Sequence, residues 1–574
     1  MKNFKRIIAT CLSLVMILLM VGCQSTASNE NSGVFIGEAK GKNGKIKMEV
    51  TIEDSNIKNI EVVENNESDF TKSVFEQLPK DIINANTADV DVISGATLTS
   101  NAIIEAVKNA IEKSGIILAA KATSKVSDKE EDTSTDIVII GAGGAGLTAA
   151  IEATKEGKEV IVVEKNSFMG GNTNYATGGM NAAGTKYQEA EGIKDTPELF
   201  YKDTMEGGHN LNDPELLKTL TEQSAEAIYW LEGLGADLSK ISRSGGQSVD
   251  RIHTTKDGAP IGSYLISVFE ENIDKLGIDV RVNTKAVEIL SEGNKVSGIK
   301  VENSQGQQYK INAKAVIIAS GGFGANKELV TKYKPELKDF STTNQPGATG
   351  DAFKMVEKLD VDLVDMEQIQ IHPTAVGNEL ISEGVRGEGA ILVNKAGKRF
   401  INELETRDTV SKAILSQEDK KAFLVLDSGV VSRLAAIKKY KDAGLITEAS
   451  SLKELAEKVG VSAEELEKTV KNYNSYFKNK NDKEFGRRVL AGELNKGPFY
   501  VAEVKPAIHH TMGGIKINTK AEVLNNSGEI VEGLFAAGEV TGGVHGGNRL
   551  GGNAVADITI FGRIAGKSAV DFIK

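Results

Sequence analysis

Hydrophobic and polar positions change rhythm several times along this chain. From residue 34 to 64 they alternate, as in KIKMEVTIED and NIKNIEVVEN, which predicts half-buried strands. A helical stretch follows near residues 70–78. Another helix ends near Lys113, with a Ser or Thr just before Asn101 as its N-cap. Between 119 and 135 the apolar rhythm stops in AAKATSKVSDKEEDTST, which reads as a linker that lets the segments on either side move. A continuous apolar run, Ile137 to Ile140, then leads into Gly141-x-Gly143-x-x-Gly146, a helical segment and a second run, Val160 to Val163. That order is strand, turn, helix, strand, with strands apolar throughout as in a buried parallel sheet. Helices over 197–234 carry Trp230, strand patterns pair over 280–301, and a buried strand over 315–320 ends in GGFG. Over 364–504 the pattern mixes strands with helices, one opened by a capping box of Ser462 and Glu465. A strand with a Gly-rich turn over 534–543 and a helix from about Asn553 complete the chain. No internal repeat is evident.

The first βαβ unit carries the clearest chemistry. Gly141 permits a tight turn, Gly143 lets backbone amides approach a pyrophosphate at the helix N-terminus, and Gly146 allows close helix–strand packing. Ala145 lies inside the same turn. Glu164, closing the second strand, is placed to accept hydrogen bonds from an adenosine ribose. The following strings, Gly170-Gly171-Asn172-Thr173 and Gly178-Gly179-Met180-Asn181, bring backbone close to a large flat group. They favour FAD over NAD, and a further Gly-rich turn at 347–351 brings Asp351 to the same cofactor.

Length and charge narrow the rest. A chain of 574 residues accommodates several domains. With 68 basic against 80 acidic residues the net charge is −12, which argues against nucleic acid and offers no basic patch for an anionic membrane. Both cysteines, Cys11 and Cys23, lie near the N-terminus, so the rest of the chain has no disulfide framework, no metal-thiolate site and no haem attachment.

Three resemblances are carried by particular strings. Lys2, Lys5 and Arg6, the apolar Ile7 to Val21 and Leu19-Met20-Val21-Gly22-Cys23 resemble a bacterial lipoprotein signal, with Met20 where Leu is usual. The resemblance implies a signal over 1–22, lipid on Cys23, a tether over 23–33 and an extracytoplasmic, membrane-anchored protein. Asp91-Val92-Ile93-Ser94-Gly95-Ala96-Thr97 resembles the flavinylation motif of the FMN-binding domain, here over 34–118, which implies covalent FMN on Thr97. A phosphate at a helix N-terminus would meet free N–H groups and the positive end of the dipole.

From Asp136 onward the strings IHPT, SEGVRG, INELETRD, HHTMGG and HGGNRLGGNA resemble the soluble fumarate reductase flavoprotein family, related to the succinate dehydrogenase flavoprotein and to urocanate reductase. The implied fold is α/β: a Rossmann-like FAD-binding domain over 136–363 and 506–574, with an inserted, mobile α+β capping domain over 364–505. The small α+β FMN-binding domain and the linker over 119–135 precede it. The resemblance makes Arg407 the proton donor to substrate, with Glu383 and Arg386 as its relay. His509 and Arg549, helped by backbone near Gly552, clamp one carboxylate; His372 and Ser382 hold the other, Ser382 standing where Thr is usual. His510, Glu539, Ala554 and Val555 match contacts to a non-covalent FAD. Urocanate-type relatives lose the histidine at the His372 position, so its presence favours fumarate over urocanate, methacrylate or an aryl acrylate. Without cysteines for haem or iron–sulfur, electrons arrive through FMN from a quinone-linked or flavoprotein donor. An electron carrier with a vestigial FAD site is the reading from another class, and Arg407, Glu383 and Arg386 argue against it.

Overall fold

The computed structural model describes residues 31–67, 71–93, 96–118, 131–243, 245–434 and 436–574. The expected signal over 1–22 and Cys23 lie outside the described residues, as do most of the tether and of the linker. Two compact units divide the chain: a smaller one drawn from residues up to 125, and a larger one that takes everything from 126 on together with short stretches at 68–73 and 93–96.

The smaller unit is a three-stranded antiparallel sheet, β1 (Gly33–Lys40), β2 (Lys45–Glu53) and β3 (Asn56–Glu64), in that order. Alternation in β2 buries Ile46, Met48, Val50 and Ile52 on one face. Helix α2 (Thr97–Ser114) packs on β1 so closely that a Cβ on Gly37 would stand 1.8 Å from the Ala106 carbonyl oxygen. Helix α1 (Lys72–Ala85) runs well past the expected end near residue 78, and it continues through Pro79 because burial of Val74, Leu78 and Ile82 outweighs one lost backbone hydrogen bond. The start of α2 also differs from expectation. It begins at Thr97, so Thr99 and Ser100 lie inside the first turn and are buried rather than capping from outside.

The larger unit is built on two sheets. Its first holds the βαβ unit: β4 (Thr133–Ile140), α3 (Gly144–Lys155) and β5 (Val160–Val163). Strands β4 and β5 pair in parallel, and β5 continues in parallel to β6 (Asp279–Arg281). On the other side β4 meets β9 (Gln308–Ile318), and β9 meets β14 (Ile530–Ala536), again in parallel. The antiparallel pair β7 (Thr284–Glu292) and β8 (Lys295–Asn303) forms the excursion that β9 ends. Strand β5 is buried along its whole length, as a strand covered on both faces must be. Helix α4 (Ile261–Leu276) packs beside α3, and the C-terminal helix α9 (Asn553–Phe572) crosses α3 at small residues. A Cβ on Gly562 would sit 2.7 Å from the Ala145 carbonyl oxygen, so the two backbones approach where side chains are absent.

The second sheet contains β10 (Ile369–Val376), β13 (Phe499–Thr511), β12 (Ala422–Asp427) and β11 (Ile391–Val393), in that order. Two buried apolar cores follow: one spans 137–369 and 508–570, the other 381–504. Strand β13 passes from one to the other. Its first half pairs with β12 over the second core, and its last residues pair with β10 beside the first. Helices α7 (Leu452–Val459) and α8 (Ala463–Asn479) cover the second core, and Ser462 caps α8 through the Glu465 amide. Among the described residues no helix is long and apolar enough to cross a membrane.

Candidate active site

Steric limits shape the dinucleotide turn. Gly141 has φ 105° and a Cβ there would meet the Ala319 carbonyl oxygen at 2.5 Å; a Cβ on Gly146 would fall 1.9 Å from the Gly141 carbonyl oxygen. Gly143 is different, since nothing but the Gly170 carbonyl oxygen at 3.9 Å approaches it. The N-cap residue of α3, Gly143, supplies no side-chain cap, and the helix end opens into a cavity of about 100 Å³ lined by Gly141, Gly143, Ala145, Glu164 and Asp351. Glu164 accepts from the Ala142 amide at 3.0 Å and the Asn166 amide at 2.8 Å, one on each oxygen, which leaves each oxygen a second lone pair. Asp351 is not free, as Lys165 donates to it at 2.9 Å.

Asn172, Thr173 and Glu539 line this cavity and also a larger one of about 450 Å³, so the two form one path. Gly178, Gly179, His510, Ala554 and Val555 border the larger cavity. An FAD fits this path: the N-terminus of α3, where Thr173 Oγ1 takes the Gly144 amide at 3.1 Å, and Glu164 stand at one end, and the unpartnered buried atoms Ser320 Oγ and His510 Nδ1 lie along it. Gly146 lies behind the turn and acts through packing alone.

Residues expected at the chemical centre gather in the larger cavity, from both cores. Helix α5 (Glu383–Gly387) and helix α6 (Arg407–Leu415) bring Ser382, Glu383 and Arg407 from the second core. Strand β10 brings His372, strand β13 brings His509, and the loop before α9 brings Arg549 and Gly552. Pairing of β10 with β13 jumps from Gln370–His510 to Ile371–Ile508, so His509 is the extra residue of a β-bulge. Adjacent residues on a regular strand face opposite sides, and the bulge lets both His509 and His510 reach one cavity. The rings of His372 and His509 stand 5.1 Å apart.

Hydrogen bonds orient each group. Arg407 donates Nε to Glu383 Oε2 at 2.9 Å and Nη1 to Gln370 Oε1 at 3.1 Å. Glu383 Oε1 accepts from the Gly245 amide at 2.8 Å. His372 Nδ1 accepts from the Thr374 amide at 3.3 Å, so its proton sits on Nε2, a buried atom with no partner. Ser382 Oγ accepts from the Gly384 amide at 3.2 Å, which leaves its hydroxyl proton to be given elsewhere. His509 Nδ1 is held by Thr343 Oγ1 at 2.8 Å. Arg386 is fully buried behind the cavity wall; its Nη1 donates to the Glu403 carbonyl oxygen at 2.6 Å, and its Nε and Nη2 have no partner.

The centre gathers buried positive charge. Burial first, and then the Arg407 charge, pushes Arg549 down to about 9, and an anion bound beside it would offset both costs. Burial and the neighbouring guanidinium groups push His372 and His509 well below the ordinary histidine value, so both are neutral, and His372 is a donor through Nε2. Burial raises Glu383, but Arg407 and Arg386 together outweigh it and hold the carboxyl below the ordinary glutamate value. The arrangement is a set of donors and cations converging on one space, with Glu539 and Glu383 the carboxylates that act most strongly on Arg549.

Sequence reading missed Gln370, Gly245 and Thr343. Gln370 was the accessible one: it precedes His372 by two in a strand, so the two share a face. Gly245 and Thr343 sit in loops whose approach no local pattern announces.

In the smaller unit Thr97 is the first residue of α2 and is exposed, so its hydroxyl is accessible at the positive end of an 18-residue helix. Such a residue fits attachment of a flavin phosphate. Thr99 Oγ1, within the first turn, donates to Glu67 at 2.5 Å. Ser94 and Gly95 of the same string lie outside the described residues.

Residues 136–555 match the FAD binding domain family, and residues 41–112 match the FMN-binding domain family. The chain is 45% identical to the NADH:fumarate oxidoreductase of Klebsiella pneumoniae across 94% of its own length, and spans 58% of that relative. It is 35% identical to the urocanate reductase of Eggerthella lenta, covering 95% of this chain and 93% of the relative. The solved open conformation of a flavocytochrome c3 fumarate reductase aligns with a TM-score of 0.66 at 40% identity, covering 79% of this chain and 85% of that one.

Proposed function

The chain belongs to the fumarate reductase flavoprotein family, with an FMN-binding domain ahead of its FAD-binding domain, and from that premise we propose that it reduces an activated alkene acid, fumarate to succinate. When bound, FAD supplies the hydride that one alkene carbon takes up, and FMN supplies the electrons that replace it. Arg549 and His509, with the Gly552 backbone, hold one substrate carboxylate, for which a guanidinium fork is suited. His372 Nε2–H and the Ser382 hydroxyl hold the second and turn it out of the alkene plane, which makes one carbon electrophilic. Arg407 gives its proton to the other carbon. A guanidinium is a poor acid in water, yet the developing carbanion is far more basic, so the transfer is favoured only as the transition state forms. Glu383, against Arg407 Nε, returns the proton, with Arg386 behind it.

The supporting observation is the convergence of unpartnered donors on a cavity that gathers buried positive charge: His372 Nε2 and Arg549 Nε are both buried without partners. A dicarboxylate supplies what each lacks. The presence of His372 favours a second carboxylate over an imidazole ring in that place. Purified protein reduced with dithionite or a viologen is expected to turn over fumarate and leave urocanate untouched. Turnover of urocanate, methacrylate or an aryl acrylate in its place would overturn the substrate assignment.

The same reading places FMN on the Thr97 hydroxyl as a phosphodiester and lipid on Cys23, outside the cytoplasmic membrane, with a quinone-linked or flavoprotein donor. Metabolic labelling with a fatty acid, lost in Cys23→Ser, tests the anchor.

A further inference from the structure

Arg407 has a second partner besides Glu383, and that partner is neutral. Gln370, buried on β10, accepts Arg407 Nη1 at 3.1 Å on its Oε1. Its other end donates Nε2 to Asn548 Oδ1 at 2.7 Å and to the Arg549 carbonyl oxygen at 2.8 Å. Asn548 is itself oriented, because its Nδ2 donates to the Gly207 carbonyl oxygen at 3.0 Å. Both neighbours therefore present oxygen, and the amide has one orientation that satisfies all of them, with its nitrogen toward the Arg549 loop and its oxygen toward Arg407.

We infer that Gln370 is a positioning residue that registers Arg407 against the Arg549 clamp, and that its neutrality is what the site requires there. The inference rests on the reading of Arg407 as proton donor. Arg407 arrives on α6 from the second core and Arg549 on a loop of the first, and Gln370 bonds to both. A carboxylate at this place would hold the guanidinium proton more tightly and would face two oxygens already committed as acceptors. A hydrocarbon would leave Arg407 Nη1 without a partner in a largely buried site. The glutamine amide fixes the direction of the guanidinium without adding a second counter-charge to Glu383.

Two near-isosteric variants of the flavin-loaded protein separate this role from a structural one. Gln370→Met is expected to lower kcat about tenfold, the loss of one hydrogen bond to a charged group, with KM within about twofold. Gln370→Glu is expected to lower kcat about a hundredfold and to increase the solvent deuterium isotope effect on kcat, because proton release becomes limiting. Binding of malonate, followed through flavin absorbance, stays within about twofold of the parent in Gln370→Met. A kcat within about twofold in both variants, or KM rising as far as kcat falls with an unchanged isotope effect, overturns the proposal. If the parent protein turns over no alkene acid, the reading of Arg407 fails separately. The crystal structure of Gln370→Met then decides the positioning role: a displaced Arg407 side chain supports it, and an unmoved one overturns it.

Discussion

The two flavin regions of this chain present themselves in opposite ways. Around the FAD path the fold buries ionic groups at a desolvation cost, Arg549 at 4% exposure and Arg386 at 0%, and orients nearly every one by a hydrogen bond. In the FMN-binding unit the buried face is apolar, Ile46, Met48, Val50 and Ile52, while Thr97 and its neighbour Leu98 stay exposed. On the proposed reading, FAD is held along the deep path by many contacts without a covalent bond. A cofactor presented at an exposed helix end is retained, on the present reading, by a single phosphodiester. On that reading the first region is sensitive at many positions in both chemistry and stability, whereas the second depends on one hydroxyl.

The largest expected effect tests the chemical side of that contrast. Arg407→Ala should lower alkene reduction by about 10⁴-fold while the flavin absorbance of both cofactors persists; near-normal turnover would remove Arg407 from the acid role. Thr97→Ala should abolish the flavin fluorescence that survives acid precipitation, and turnover with the native donor, yet leave the melting temperature unchanged, since an exposed residue contributes within about 0.5 kcal/mol. Flavin that stays attached in this variant would put the linkage elsewhere.

Gly146→Ala sharpens the structural side. Its Cβ would meet the Gly141 carbonyl oxygen at 1.9 Å, so destabilisation of about 3 kcal/mol and loss of FAD are expected by denaturant titration. The smallest effect is in pH. The folded Glu383 carboxyl lies below its ordinary value of 4.5, so it contributes stability that is complete above that pH and is lost as pH falls through the folded value. The stability difference between the parent and Glu383→Gln should be flat at neutral pH and shrink only in acid. A difference that grew on acidification would contradict the ion pair with Arg407.

Much of the βαβ unit was legible because its signals are local. An apolar run, three glycines at fixed spacing and an acid at the end of the second strand each follow from backbone sterics within a few residues. The cap on α8 was legible for the same reason. Element ends were less so: burial carried α1 through Pro79, and α2 began at Thr97, ahead of the residues expected to cap it.

By itself, then, the sequence determined which stretches are strand or helix, where a dinucleotide turn forms, and which residue types the site can draw on, since those depend on interactions between near neighbours. Only the tertiary structure decided that His372 meets His509, that a bulge turns two adjacent histidines toward one cavity, and that Gln370 ties Arg407 to the Arg549 loop. Those contacts join residues from 37 to 179 positions apart in the chain. They exist because β13 leaves one apolar core and enters the other, and the pairing that carries it there depends on burying both cores at once.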